Sequence, residues 1–114
     1  MKLSEKQQIF ARNIALLMMY AFNRGYEITF GEATRDYETA VRNAENGTGI
    51  VNSLHLIRLA LDLNLFKDGV YLSRSSDHAE LGEFWKSLHP LNRWGGDFSR
   101  PDGNHYSMEH GGRQ

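Results

Sequence analysis

The sequence contains no cysteine. Disulfides, thiolate zinc fingers, iron–sulfur clusters and cysteine nucleophiles are therefore excluded, and any transition metal must use imidazole and carboxylate. There is no surplus of positive charge either. Thirteen Lys+Arg stand against 14 Asp+Glu, a formal net charge of -1. Sequence-independent binding to nucleic acid needs a basic face, so no nucleic-acid partner is expected. Long apolar runs are missing too. The longest, residues 14–22, falls well short of the roughly 20 residues that span a bilayer, so no membrane insertion is expected. Lys2, Lys6 and Arg12 precede that run, but so does Glu5, and no small-residue cleavage site follows Phe22. An amphipathic first helix is expected rather than a signal peptide. Repeats, low-complexity stretches and linkers are also lacking, so residues 1–114 read as a single domain. A composition of 40% hydrophobic and 24% charged residues is ordinary for a globular chain and argues against disorder.

Ser4 followed by Gln7 reads as a capping box opening a helix, with Phe10, Ile14, Leu17 and Ala21 on one apolar face and Gly25 stopping it. Residues 26–30 are β-branched and aromatic and predict a strand. Asp36 is placed to cap a short second helix that buries Ala40, Val41 and Ala44, and residues 46–53 form a turn-rich loop. Leu59, Leu61, Leu63 and Leu65 then alternate with Ala60, Asp62 and Asn64, which predicts a strand with leucines inward and Asp62 on the accessible face. Asp68-Gly69 is a hairpin-type turn into a short strand over residues 70–72. Asp77 and Glu80 open a helix with Leu81, Phe84, Trp85 and Leu88 on its apolar stripe, and Pro90 ends it. Residues 94–97 read as a loop, residues 101–103 as a tight turn, residues 105–109 as a last strand, and residues 111–114 as a frayed tail. The expected fold class is α+β: a small, mainly antiparallel sheet flanked by about three helices.

Five histidines supply the candidate chemistry. His78, His89 and His110 read as surface residues. His55 and Asp62 are seven residues apart. On one helix they would stand about 10.5 Å apart along the axis. On one strand they would point to opposite faces. Zinc–ligand distances are roughly 2.0–2.2 Å, so the pair can share an ion only if the chain turns between them, near residues 56–58. Spacing alone leaves a bland reading in front: Ser53 as a cap, His55 hydrogen-bonded, Asp62 facing solvent. Trp94 before two glycines reads as a core anchor beside a turn, and Trp85 as core.

Ser53-Leu54-His55, Ala60-Leu61-Asp62-Leu63, Trp94-Gly95-Gly96-Asp97-Phe98 and Asp102-Gly103-Asn104-His105-Tyr106 together resemble the zinc peptidases of the D-alanyl-D-alanine carboxypeptidase type. That group is similar to VanX-type dipeptidases and shares the hedgehog/DD-peptidase-like fold. Within it the sequence most resembles phage endolysins of the L-alanyl-D-glutamate peptidase type, over about residues 26–109. Each motif alone is weak; the combination is specific.

The resemblance implies His55, Asp62 and His105 as the ligands of a Zn²⁺ cofactor, and Asp102 as the catalytic acid. It implies Arg35 as a catalytic and substrate-binding group facing transition-state oxygens. Ser53 is expected to bind substrate or to hold the loop bearing His55. Glu109 is the runner-up acid. Many members have glycine where this sequence has Arg58; if that position needs a positive φ, arginine there is strained. Two imidazoles and one carboxylate leave zinc an open position for a water, whose proton Asp102 can take and pass to a leaving amine.

The implied function is zinc-dependent hydrolysis of a peptide bond in the murein stem, the L-Ala–D-Glu bond in the endolysin branch. The alternatives are a D-alanyl-D-alanine carboxypeptidase or dipeptidase, a non-catalytic zinc-bearing cell-wall-binding module, and a small helical interaction protein without zinc. The implied partner is bacterial peptidoglycan, met by a monomer. The implied location is the host cytoplasm until release to the periplasm and cell wall during lysis.

Overall fold

A computed structural model describes residues 1–31 and 54–114. The helix expected from Asp36, the loop over residues 46–53, and with them Arg35 and Ser53, lie outside the described residues.

Helix α1 spans Leu3–Asn23 and helix α2 spans Ala79–Leu88. Among the described residues, five strands follow the order of the chain: β1 (Tyr26–Phe30), β2 (Ala60–Lys67), β3 (Val70–Tyr71), β4 (Asn92–Trp94) and β5 (His105–Met108). They form one antiparallel sheet in the order β1-β2-β5-β4, with β3 also paired to β2. The α+β architecture expected from the sequence is therefore present.

On α1, Phe10, Ile14, Leu17 and Ala21 are the buried apolar residues, as their spacing predicts. Gly25 follows with φ +88°, the left-handed conformation that ends a helix at little cost for glycine. The capping box is not formed. The helix starts at Leu3, and its N-cap Lys2 makes no side-chain cap hydrogen bond. Gln7 instead donates from Nε2 to the carbonyl of Ile57 at 2.8 Å, a tertiary bond that ties α1 to a distant turn.

On β2, Leu63 and Leu65 are fully buried and Asp62 faces the other way. Tyr106 and Met108 of β5 share the leucine face, and both helices cover it. Trp85 of α2 sits at the centre of this core. Phe10 and Tyr106 meet its ring edge-on, and its Nε1 donates at 3.0 Å to the carbonyls of Arg93 and Ser107, on β4 and β5. A fully buried side chain of this size contributes about 3 kcal/mol or more when its N–H is satisfied.

Strand β4 is a departure from the sequence reading, which has no strand there. Asn92-Arg93-Trp94 has no alternation long enough to register, and pairing with β5 creates the strand. The tail also differs from expectation. His110 and Arg113 exchange backbone hydrogen bonds of 3.1 and 3.0 Å around Gly111-Gly112, so residues 110–113 form a closed turn. Among the described residues no helix is long and apolar enough to cross a membrane.

Candidate metal centre

Three separate pieces of chain converge on the sheet face opposite the leucines. Asp62 and His105 are direct partners across β2 and β5. The flanking bond from Leu63 N–H to the Asn104 carbonyl, 2.9 Å, makes them a narrow, non-hydrogen-bonded pair. Such pairs hold their side chains closest together. His105 Nδ1 accordingly lies 3.4 Å from Asp62 Oδ1.

His55 arrives from a 3₁₀ turn, Leu54–Ile57. The chain reverses directly after it. Leu59 N–H donates to the Leu54 carbonyl at 2.9 Å and Arg58 N–H to the His55 carbonyl at 3.4 Å, with Arg58 at φ +60°. This is a Schellman closure, a motif whose left-handed position is usually glycine. The turn needed between His55 and Asp62 is thus present, and the glycine-type conformation is held by an arginine. His55 Nε2 reaches to 3.6 Å from Asp62 Oδ1.

The His55, Asp62 and His105 ligand atoms all lie within 4.8 Å of one another, and both imidazoles are buried. Separations of 3.4 and 3.6 Å are longer than an N–H···O hydrogen bond. They match the roughly 3.4 Å that separates donors placed tetrahedrally about 2.1 Å from one ion. Asp62 Oδ1 and His105 Nε2 are buried without a hydrogen-bond partner among the described residues. An unsatisfied buried polar atom costs about 1–3 kcal/mol, more if charged, so this carboxylate oxygen between two imidazoles fits a divalent cation.

Asp102 is not one of the three. It is exposed, in the turn just before β5, and lines a cavity of about 290 Å³. Its backbone is held firmly: its N–H donates to the Gly95 carbonyl at 2.9 Å and its carbonyl accepts from His105 N–H at 3.0 Å. Gly95 is needed for that approach, since a Cβ there would collide with the Asp102 carbonyl oxygen. Trp94 is the expected core anchor. Its ring packs against Gly82 and Gly96, and its Nε1 donates to the Gly103 carbonyl at 2.7 Å, fixing the turn that carries Asp102. Glu109 is occupied elsewhere, accepting from Gly112 N–H at 2.8 Å.

His78 is a correction. It is buried, not a surface residue, and its Nδ1 lies 2.7 Å from the Tyr106 hydroxyl. Burial pulls its pKa down, against a smaller upward pull from Asp77, and burial pushes that of Tyr106 up. Its i, i+3 and i+7 spacing to Leu81 and Trp85 is compatible with an inward face, but the partner that buries it lies on β5. His89 is half-buried, and its Nδ1 accepts from Leu91 N–H at 3.1 Å. His110 Nδ1 meets Lys6 Nζ at 3.1 Å.

Residues 46–108 match the model of a peptidase family described as D-alanyl-D-alanine carboxypeptidase. The chain belongs to this family. The matched span includes His55, Asp62, Asp102 and His105 and leaves out Arg35. The crystal structure of the Serratia marcescens L-Ala D-Glu endopeptidase ChiX is similar in fold, with a TM-score of 0.74 at 20% identity over 88% of this chain and 77% of that one. No curated protein sequence matches the chain significantly. As a peptidase of this family, the chain has its His-Asp-His group, with both imidazoles buried, inside the matched region.

Proposed function

We propose that the chain is a zinc-dependent peptidoglycan peptidase, a phage endolysin that hydrolyses the L-Ala–D-Glu bond of the murein stem. The observation that carries this reading is the His55–Asp62–His105 group, spaced for one ion and left with an unsatisfied carboxylate oxygen, in a member of a peptidase family. Zn²⁺ bound there would supply Lewis acidity and lower the pKa of a water toward about 7.

The remaining roles belong to side chains. Asp102 accepts a proton from the attacking water and returns one to the leaving amine. Its exposed place on a cavity wall, in the turn that leads into His105, supports this role. Arg35 faces the developing oxyanion and binds substrate, and Ser53 binds substrate or steadies the turn bearing His55. The bond assignment rests on the sequence resemblance to endolysins; ChiX, whose fold this chain shares, is named an L-Ala D-Glu endopeptidase. The family description itself favours the alternative bond, D-Ala–D-Ala. The protein acts as a monomer, stored in the host cytoplasm and released to the cell wall at lysis.

The test is metal content together with new amine termini released from purified peptidoglycan. One zinc per chain and new D-glutamate amino termini are expected from the wild type. His105→Ala should lose both, and Asp102→Asn should keep the zinc and lose about a hundredfold or more in rate. Released D-alanine would choose the other bond. Zinc without any release would leave a binding module.

A further inference from the structure

The cavity beside Asp102 has a second wall that the reaction above leaves unused. One wall is the turn carrying Asp102, Gly103 and Asn104, and the other is the segment Ser73-Arg74-Ser75 with His78 behind it. The two walls are locked together. Gly103 N–H donates to Ser75 Oγ at 2.9 Å, and a Cβ on Gly103 would come within 2.5 Å of the Ser75 Cα. The cavity's 290 Å³ suits a single amino-acid residue.

Its chemistry is that of a carboxylate site. Arg74 contributes an exposed guanidinium, and no acidic side chain among the described residues pairs with it. Asp77, its nearest acid in the chain, accepts from the Arg74 backbone N–H instead, at 3.0 Å. Ser75 Oγ, having accepted from Gly103, keeps its own O–H to donate. Asn104 adds an amide to the same lining.

We propose that Arg74 and Ser75 bind the free α-carboxylate of the residue on the leaving-group side of the scissile bond. This rests on the peptidase reading and deepens it. In both candidate bonds, L-Ala–D-Glu and D-Ala–D-Ala, the leaving nitrogen sits on a carbon that also bears a free carboxylate. The group that protonates the leaving amine and the cation that holds its carboxylate must then share one pocket, as Asp102 and Arg74 do. The negative charge of Asp102 disfavours a second carboxylate nearby unless a cation stands with it, and a guanidinium can clasp a carboxylate with two bonds.

The experiment compares two matched stem peptides, one with a free α-carboxylate on D-glutamate and one with that group amidated. Wild type should prefer the carboxylate by about 10- to 100-fold in kcat/KM, chiefly through KM. Arg74→Gln should bring the ratio close to one by lowering only the carboxylate value steeply, and Arg74→Lys should restore part of it. Equal loss on both peptides, or no preference in the wild type, would overturn the proposal. A second readout needs no turnover: NMR titration of the Gly103 and Asn104 amides with the γ-D-glutamyl product and its α-amide. Carboxylate-selective, Arg74-dependent binding without any hydrolysis would sink the peptidase reading and leave this site standing. Hydrolysis without selectivity would do the reverse.

Discussion

At position 58 an arginine holds a backbone conformation that glycine reaches at lower cost. A left-handed φ costs a non-glycine residue about 1–2 kcal/mol, and glycine gives back roughly 0.5–1 kcal/mol of that through the entropy of its unfolded chain. Arg58→Gly should therefore raise stability by about 0.5–1 kcal/mol, seen as a rise of a few degrees in Tm. A lower Tm would show that contacts of the arginine side chain outweigh the strain. The need for a turn here is legible in the sequence itself. A separation of seven residues between His55 and Asp62 is incompatible with shared ligation on either regular element. The burial of His78 is less legible, because a place at the start of a helix suggests solvent. Only the bond to Tyr106 from the opposite element shows why it is buried.

Among the elements, the short Gly95–Asp97 turn does most to place the site. Its first glycine lets the Asp102 turn pass within contact distance, and that turn leads directly into His105. Gly95→Ala would drive a methyl group into a backbone oxygen, with no flexible side chain to yield. Overpacking of this kind typically costs about 1–3 kcal/mol. The loss should show in chemical denaturation, and zinc affinity should fall with it as His105 moves. Unchanged zinc affinity in a destabilised variant would mean that the turn supports the fold but does not align the ligand. The pattern Trp94-Gly95-Gly96 is readable as an anchor beside a turn. Its reason is not, since the two surfaces that exclude a Cβ come from the Trp94 ring and from a turn several residues further on. The Ser4–Gln7 capping signal fails for a related reason: a tertiary acceptor, the Ile57 carbonyl, takes the Gln7 side chain.

Across the whole molecule, the proposed zinc site joins a 3₁₀ turn and two strands whose ligands are 50 residues apart in sequence at the extremes, from His55 to His105. An ion that binds only the folded arrangement stabilises it by mass action, by about 2.7 kcal/mol at a free concentration roughly 100 times its dissociation constant. Chelation should lower the Tm of the purified protein, added Zn²⁺ should restore it, and Asp62→Ala should abolish the zinc-dependent part. A Tm indifferent to chelator and zinc would remove the metal assignment.

Local patterns by themselves determine the α1 face, strands β1 to β3 and β5, the Asp68-Gly69 hairpin and the helix ended by Pro90. In each, the periodicity or turn chemistry lies within a few neighbouring residues. The motif set is enough to suggest the family. Tertiary structure alone decides that Asp62 and His105 form a narrow pair, that Asn92-Arg93-Trp94 becomes a strand, that His78 is buried, and that Arg74 stands across a cavity from Asp102. Each of these depends on partners brought together by sheet register and helix packing, and that information does not reside in any one stretch of chain.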